Sequence, residues 1–184
     1  MAQPALSQSF FESLGDPLLR AMYEYWRGKA AGRSMPRRRD IDPSEIPKLL
    51  PHLMITEVLD GGRRFRYRLS GTAVTEAFGR SLTGQYVDEV MKGPYRDFIE
   101  RLYRNVHQGR RCIFCESRYT GSKSLGVTTK RLFMPLSEDE AFVNQVLVIQ
   151  TFHYASHDRS IVIVDNMDAF VGANIELAED DAKS

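Results

Sequence analysis

A chain of 184 residues, 42% of them apolar and 27% charged, has enough material for one domain with a real core plus terminal extensions. Its net charge of +1 sets up no overall field for nucleic acid or for an anionic membrane surface. No apolar run approaches the roughly 20 residues that span a bilayer. The start, MAQPALSQSFF, lacks a secretory signal pattern, and two cysteines do not make a disulfide framework. The expectation is a cytoplasmic protein with reduced thiols and with neither nucleic acid nor membrane as partner.

In chain order, DPLLRAMYEYWRGKAAGR predicts a helix over 16–31. Asp16 suits the N-cap, Pro17 the first helical position and Gly32 the stop. Leu18, Leu19, Met22, Tyr23, Trp26 and Ala30 recur at three- and four-residue steps and form a wide apolar stripe. The plain reading of that stripe is core packing. Its first five members are also the candidate dimer interface of a helix laid against the body of the domain.

In SMPRRRDIDPSEIPKLLPHL, Pro36, Pro43, Pro47 and Pro51 exclude a long regular element. Asp42-Pro43-Ser44-Glu45 reads as a capped turn. Arg37, Arg38 and Arg39 read as a solvated loop rather than a phosphate site. LMITEVLD (53–60) and RFRYRLSG (64–71) flank Gly61-Gly62, a strong hairpin signal. On the second strand Phe65, Tyr67 and Leu69 should share one face, with Arg66, Arg68 and Ser70 on the other.

A short helix is expected from Thr72 to Gly79, and another turn in LTGQYVDEVM. GPYRDFIERLYRNVHQGRR has the clearest helical pattern, with Pro94 at its start and Gly109 at its end. Tyr95, Phe98, Ile99, Leu102 and Val106 form its stripe and Tyr103 the border. Three strands follow, over 111–120, 128–137 and 142–154. Short connections make them antiparallel neighbours. The β-branched run 161–164 reads as a sixth strand or a packed extension, and ANIELAEDDAKS as frayed. The fold class is α+β: a five-stranded antiparallel sheet with short helices, one long helix and an N-terminal amphipathic helix.

The segments YWRGKAAGRSMPRRRDIDPSEIPKLLPHLMITEV and FRYRLSGTAVTEAFGRSLTG resemble a PAS-domain family of small, largely single-domain proteins found chiefly in alphaproteobacteria. The resemblance runs from about Tyr25 to about Tyr154, and MPRRRDIDP, LLPHL and YRLSGT with GRSLTG carry it. It implies a PAS-like domain over 36–154, a helical extension over 1–35 and an acidic C-terminal extension over 155–184. The long helix would be the one that crosses the sheet. The resemblance also implies a sensory or regulatory module, dimeric through its N-terminal helix, with no output domain in the remaining residues.

Each candidate for chemistry has a plainer alternative. Cys112 and Cys115 form a C-x-x-C, but residues three apart on a strand face opposite ways, and one pair leaves zinc two ligands short. Structural cysteines are favoured. His153 and His157 have a metal spacing only on a helix, and they fall at a strand end and in a loop. His107 points toward the rim, which disfavours haem. GSKSLGVTTK lacks the lysine of a phosphate loop and reads as a turn. No G-x-S-x-G or flavin motif is present, so no metal is expected and the cofactor is unassigned. Arg66, Arg68, Arg118, Lys130 and Arg131 would form a cationic sheet face if the register aligned them.

The functional expectation is a cytoplasmic regulatory module that binds a small, mostly apolar ligand or a protein partner and signals through protein contacts as a homodimer. The candidate cavity wall comprises Phe65, Tyr67, Leu69, Phe78 and Phe98. It is completed by Leu102, Leu132, Met134 and Val148, many of them equally good as plain core. No catalytic residue is assigned. The competing expectations are an adaptor with no ligand and a small cavity-type enzyme. The enzyme would need Glu57, Glu116 or His153 turned inward with a shifted pKa.

Overall fold

Helix α1 (Pro17–Ala30) begins where Asp16 holds extended backbone and its carboxylate accepts from the Leu18 and Leu19 amides at 2.9 and 3.4 Å. Pro17 at the first position has no amide to leave unsatisfied. The helix ends at Ala31, a left-handed cap with φ 49°, and Gly32 follows at φ 87°. The computed structural model describes residues 10–120, 126–154 and 170–177.

The proline-rich segment forms three single 3₁₀ turns, at Arg38–Asp40, Pro43–Glu45 and Leu50–His52. Strands β1 (Leu53–Leu59) and β2 (Arg64–Ser70) pair around a turn in which Asp60, Gly61 and Gly62 all have positive φ. Helices α2 (Thr72–Phe78), α3 (Val87–Val90) and α4 (Gly93–Gly109) come next. Strands β3 (Ile113–Thr120), β4 (Gly126–Leu136), β5 (Gln145–Tyr154) and β6 (Phe170–Leu177) complete the order.

The sheet runs β2-β1-β5-β4-β3-β6, with every neighbouring pair antiparallel. It contains the five expected strands and one more. Part of the acidic segment expected to fray supplies the end of β6, whose backbone pairs with β3 from Tyr119↔Phe170 to Ile113↔Leu177. Edge pairing needs little apolar content, so composition carries no signal for it. The run at 161–164 and the end at 178–184 lie outside the described residues.

Strand alternation gives the sheet two buried faces. Met54, Tyr67, Arg131, Phe133, Val148 and Gln150 share the inner face through the register of β1, β2, β4 and β5. Helix α4 crosses this face: Tyr103 packs edge-on against Phe133 and stacks on Phe65, with ring centroids 5.3 and 5.2 Å apart. Leu53, Ile55, Leu132, Met134, Leu147 and Ile149 lie on the outer face and are also buried. Helix α1 covers them. Trp26 Nε1 donates to the Pro135 carbonyl at 2.9 Å, and Thr151 Oγ1 donates to Asp16 Oδ2 at 2.8 Å. Both faces and both helices join one apolar cluster.

Candidate functional site

The stretch RFRYRLSGT shows how the inner face is built. Phe65 and Tyr67 point inward as expected and are fully buried. Leu69 does not follow them. Thr56 pairs with Tyr67 but Ile55 pairs with Leu69, so β2 carries one extra residue at a bulge. The extra residue reverses the alternation, and Leu69 is left 39% exposed, off the expected cavity wall. Gly71 then ends the strand where a Cβ would stand 2.4 Å from the carbonyl oxygens of Leu50 and Pro51. Only glycine lets the chain turn into α2 that close to another backbone.

Beneath α4 lies a cavity of about 10 Å³, room for one water-sized group. Its apolar walls include Met54, Phe78, Met91, Ile99 and Phe133. Its polar lining is Tyr67, Tyr95, Tyr103, Arg131 and Gln150. The Arg131 guanidinium is 2% exposed and donates to the Tyr95 hydroxyl at 2.7 Å and to Ser117 Oγ at 3.0 Å. Thr56 Oγ1 donates to the Tyr103 hydroxyl at 3.0 Å. Gln150 is 1% exposed, and its Nε2 has no hydrogen-bond partner. Thr129 Oγ1, two residues from Arg131 on the same strand face, is likewise buried without one.

Burial dominates the titration of these groups. It pushes the Tyr103 hydroxyl up to about 12 and the Tyr67 hydroxyl well above the usual tyrosine value. It also raises the Cys115 thiol, whose Sγ lies 3.4 Å from Ser117 Oγ. In all three cases the nearby Arg131 charge opposes the rise without cancelling it. The interior holds neutral hydroxyls and a neutral thiol around a guanidinium.

Of the nine expected wall residues, Tyr67 and Phe78 line the cavity. Phe65 and Val148 are on the inner face beside it, and Phe98 and Leu102 are buried on α4 away from it. Leu132 and Met134 alternate with Arg131 and Phe133, so they face α1 on the opposite side of the sheet. The interface stripe is taken up by the chain's own sheet. Leu19, Met22, Tyr23 and Trp26 are buried there, and Leu18 is half-buried.

The expected cationic face is not formed. Arg66 and Arg68 pair with Glu57, and Arg118 and Lys130 lie 3.6 and 3.7 Å from Glu116. Arg131 is on the other side, inside. Glu57, Glu116 and His153 all stay off the cavity lining, and His153 Nε2 lies 3.1 Å from Asp16 Oδ2. Cys112 and Cys115 are both buried and are not joined in a disulfide. His107 Nδ1 lies 3.1 Å from the Val143 carbonyl at the far end of α4. His157 and most of the GSKSLG turn lie outside the described residues.

Composition hid Arg131, Gln150, Tyr95 and Tyr103, the residues that make the cavity polar. Two signals were available. Adjacent Lys130 and Arg131 in a strand must face opposite ways, so one cation had to enter the core. Gln150 interrupts the apolar run VLVIQTF in the middle of β5.

A mixed sheet-and-helix domain with one long helix laid across an antiparallel sheet, and a small polar cavity between them, is the architecture of a PAS-type module. The chain belongs to the PAS domain family: the family's model matches residues 15–149. No curated protein matches the chain. The match begins at Gly15, one residue before the α1 cap, and so takes in the helix that covers the outer face. Among the described residues, no helix is long and apolar enough to cross a membrane.

Proposed function

We propose that this chain is a sensory or regulatory module that takes a small ligand in the cavity under α4 and passes the binding event on as a change in protein–protein contact. The observation that carries this is Gln150. A buried amide donor without a partner costs about 1–3 kcal/mol, and it lines a polar cavity between the crossing helix and the sheet. Groups in such a place are satisfied when something occupies it. The cavity's guanidinium, hydroxyls and amide favour a ligand with a polar end over the mostly apolar one expected from composition. Binding there bears on α4 from below and is read out as a shift between two arrangements of the helix. Reduced, buried cysteines agree with action in the cytoplasm. A homodimer of the module would use a surface other than the buried stripe of α1.

The small size of the cavity favours a second reading, an adaptor whose only signal is a protein partner. Native mass spectrometry of the full chain purified from its own host, beside a denatured control, separates the two. A mass excess lost on denaturation supports the sensor. A bare mass at every charge state supports the adaptor.

A further inference from the structure

We infer that the cavity under α4 is a recognition site for the carboxylate end of a small organic acid. This inference rests on the sensor reading above and names its ligand class. Among the described residues that line the cavity, the formal charge is positive and none is acidic. The charge is Arg131, whose planar fork of donors matches the two oxygens of a carboxylate better than any other side chain does. Beside it stand the Tyr95 hydroxyl, 2.7 Å from Arg131 Nη2, and the buried Nε2 of Gln150. Arg131 and Gln150 are direct partners across β4 and β5, so their side chains rise from adjacent positions of one face. An amide N–H and a guanidinium side by side, both lining the same space, form a donor set for an anion. A neutral apolar guest would leave the Gln150 donor unmet.

As it stands the space holds only a water-sized group, and a carboxylate with a carbon body needs more. The wall that yields is Met54 and Met91. Methionine is unbranched and its thioether repacks at low cost, so a ligand body displaces these side chains while the polar wall stays fixed. Met91 lies in the short link from α3 to α4, just before Gly93 with its positive φ. Displacing it therefore acts on the start of the crossing helix, which ties occupancy to helix position.

The test is thermal unfolding of the full chain with sodium formate, acetate, butanoate and octanoate, each at matched ionic strength against sodium chloride. Acetamide and butanamide serve as neutral isosteres. The expected result is a Tm that climbs with the logarithm of the concentration of at least one carboxylate and stays flat with its amide and with chloride. Gln150→Leu should weaken that carboxylate's apparent affinity at least tenfold while leaving the ligand-free chain folded. Arg131→Met, which replaces the charge with an apolar chain of similar length, should abolish the effect. If Arg131→Met does not fold, Gln150→Leu decides alone. Equal stabilisation by acid and amide, or no response to any acid, overturns the inference. A host-derived mass excess that proves to be a neutral compound also overturns it, yet leaves the sensor reading standing.

Discussion

Arg131 on β4 and Tyr95 on α4 meet inside the domain, guanidinium to hydroxyl at 2.7 Å, and so tie a central strand to the crossing helix. Neither group is exposed to solvent, so water cannot replace the bond. A hydrogen bond to a charged donor contributes about 1.5–3 kcal/mol. Tyr95→Phe keeps the ring, its packing and the helix. We expect it to lower the urea midpoint by an amount worth about 1.5–3 kcal/mol with an unchanged m-value. A loss well below 1 kcal/mol would show that other groups already meet that donor.

The buried tyrosines make the domain sensitive to alkali. Burial holds the Tyr103 hydroxyl near 12 in the folded chain, against 10.0 for an exposed tyrosine. The folded state therefore keeps a proton that the unfolded state gives up. This contribution to stability is whole below pH 10 and disappears as pH climbs through 12. Urea midpoints should fall steeply across that window. Tyr103→Phe should flatten the fall, though Tyr67, raised in the same direction, keeps part of it. The part of the tyrosinate absorbance that Tyr103→Phe removes should appear together with unfolding rather than before it. That same part formed in a still-folded chain would contradict this account.

Asp16 produces the opposite dependence at low pH. Burial raises its carboxyl, but hydrogen bonds from Thr151 and the Leu18 and Leu19 amides, together with His153, outweigh that and hold it below 3.8. The folded state thus prefers the carboxylate, and its stabilising effect is present above pH 3.8 and lost as pH falls through the lower folded value. Asp16→Asn keeps a good cap and removes the titration, so acid unfolding should become shallower below pH 4. Asp16→Ala also removes the cap and the carboxylate that accepts from Thr151 Oγ1, leaving that hydroxyl His153 Nε2 at 3.2 Å. It should cost about 2–4 kcal/mol at neutral pH, the cap and the lost hydrogen bond to a charged acceptor together.

Local signals in the chain predicted the fold well, and the site less so. Asp16-Pro17, Gly61-Gly62 and Pro94 mark element starts and turns through backbone chemistry that acts within a few residues, and each of them holds. The antiparallel order follows from short connections. Which strand residues face the cavity depends on register, and one bulge at Ile55/Thr56 is enough to turn Leu69 outward. Apolarity alone puts Leu132 and Met134 on the ligand side, but the sheet has two buried faces, and both take apolar residues. The residues that give the cavity its chemistry, Arg131 and Gln150, are types usually found at the surface. Only the alternation imposed by a strand places them indoors.

The same two-faced sheet decides what Trp26 does. It stacks on Tyr23 with ring centroids 6.3 Å apart, donates to the Pro135 carbonyl at 2.9 Å and is nearly buried within one chain. Removing a packed tryptophan costs about 3–5 kcal/mol, so Trp26→Ala should bring the domain close to unfolding. Because the contact is made inside the chain, the urea midpoint of the unmutated protein should not depend on protein concentration through this helix. As the sole tryptophan, Trp26 reports the outcome directly. Its emission should be blue-shifted in the folded chain and move to the red in a single transition with the backbone signal. A midpoint that rises with concentration, with Trp26→Ala removing that rise, would instead place α1 at a seam between two copies.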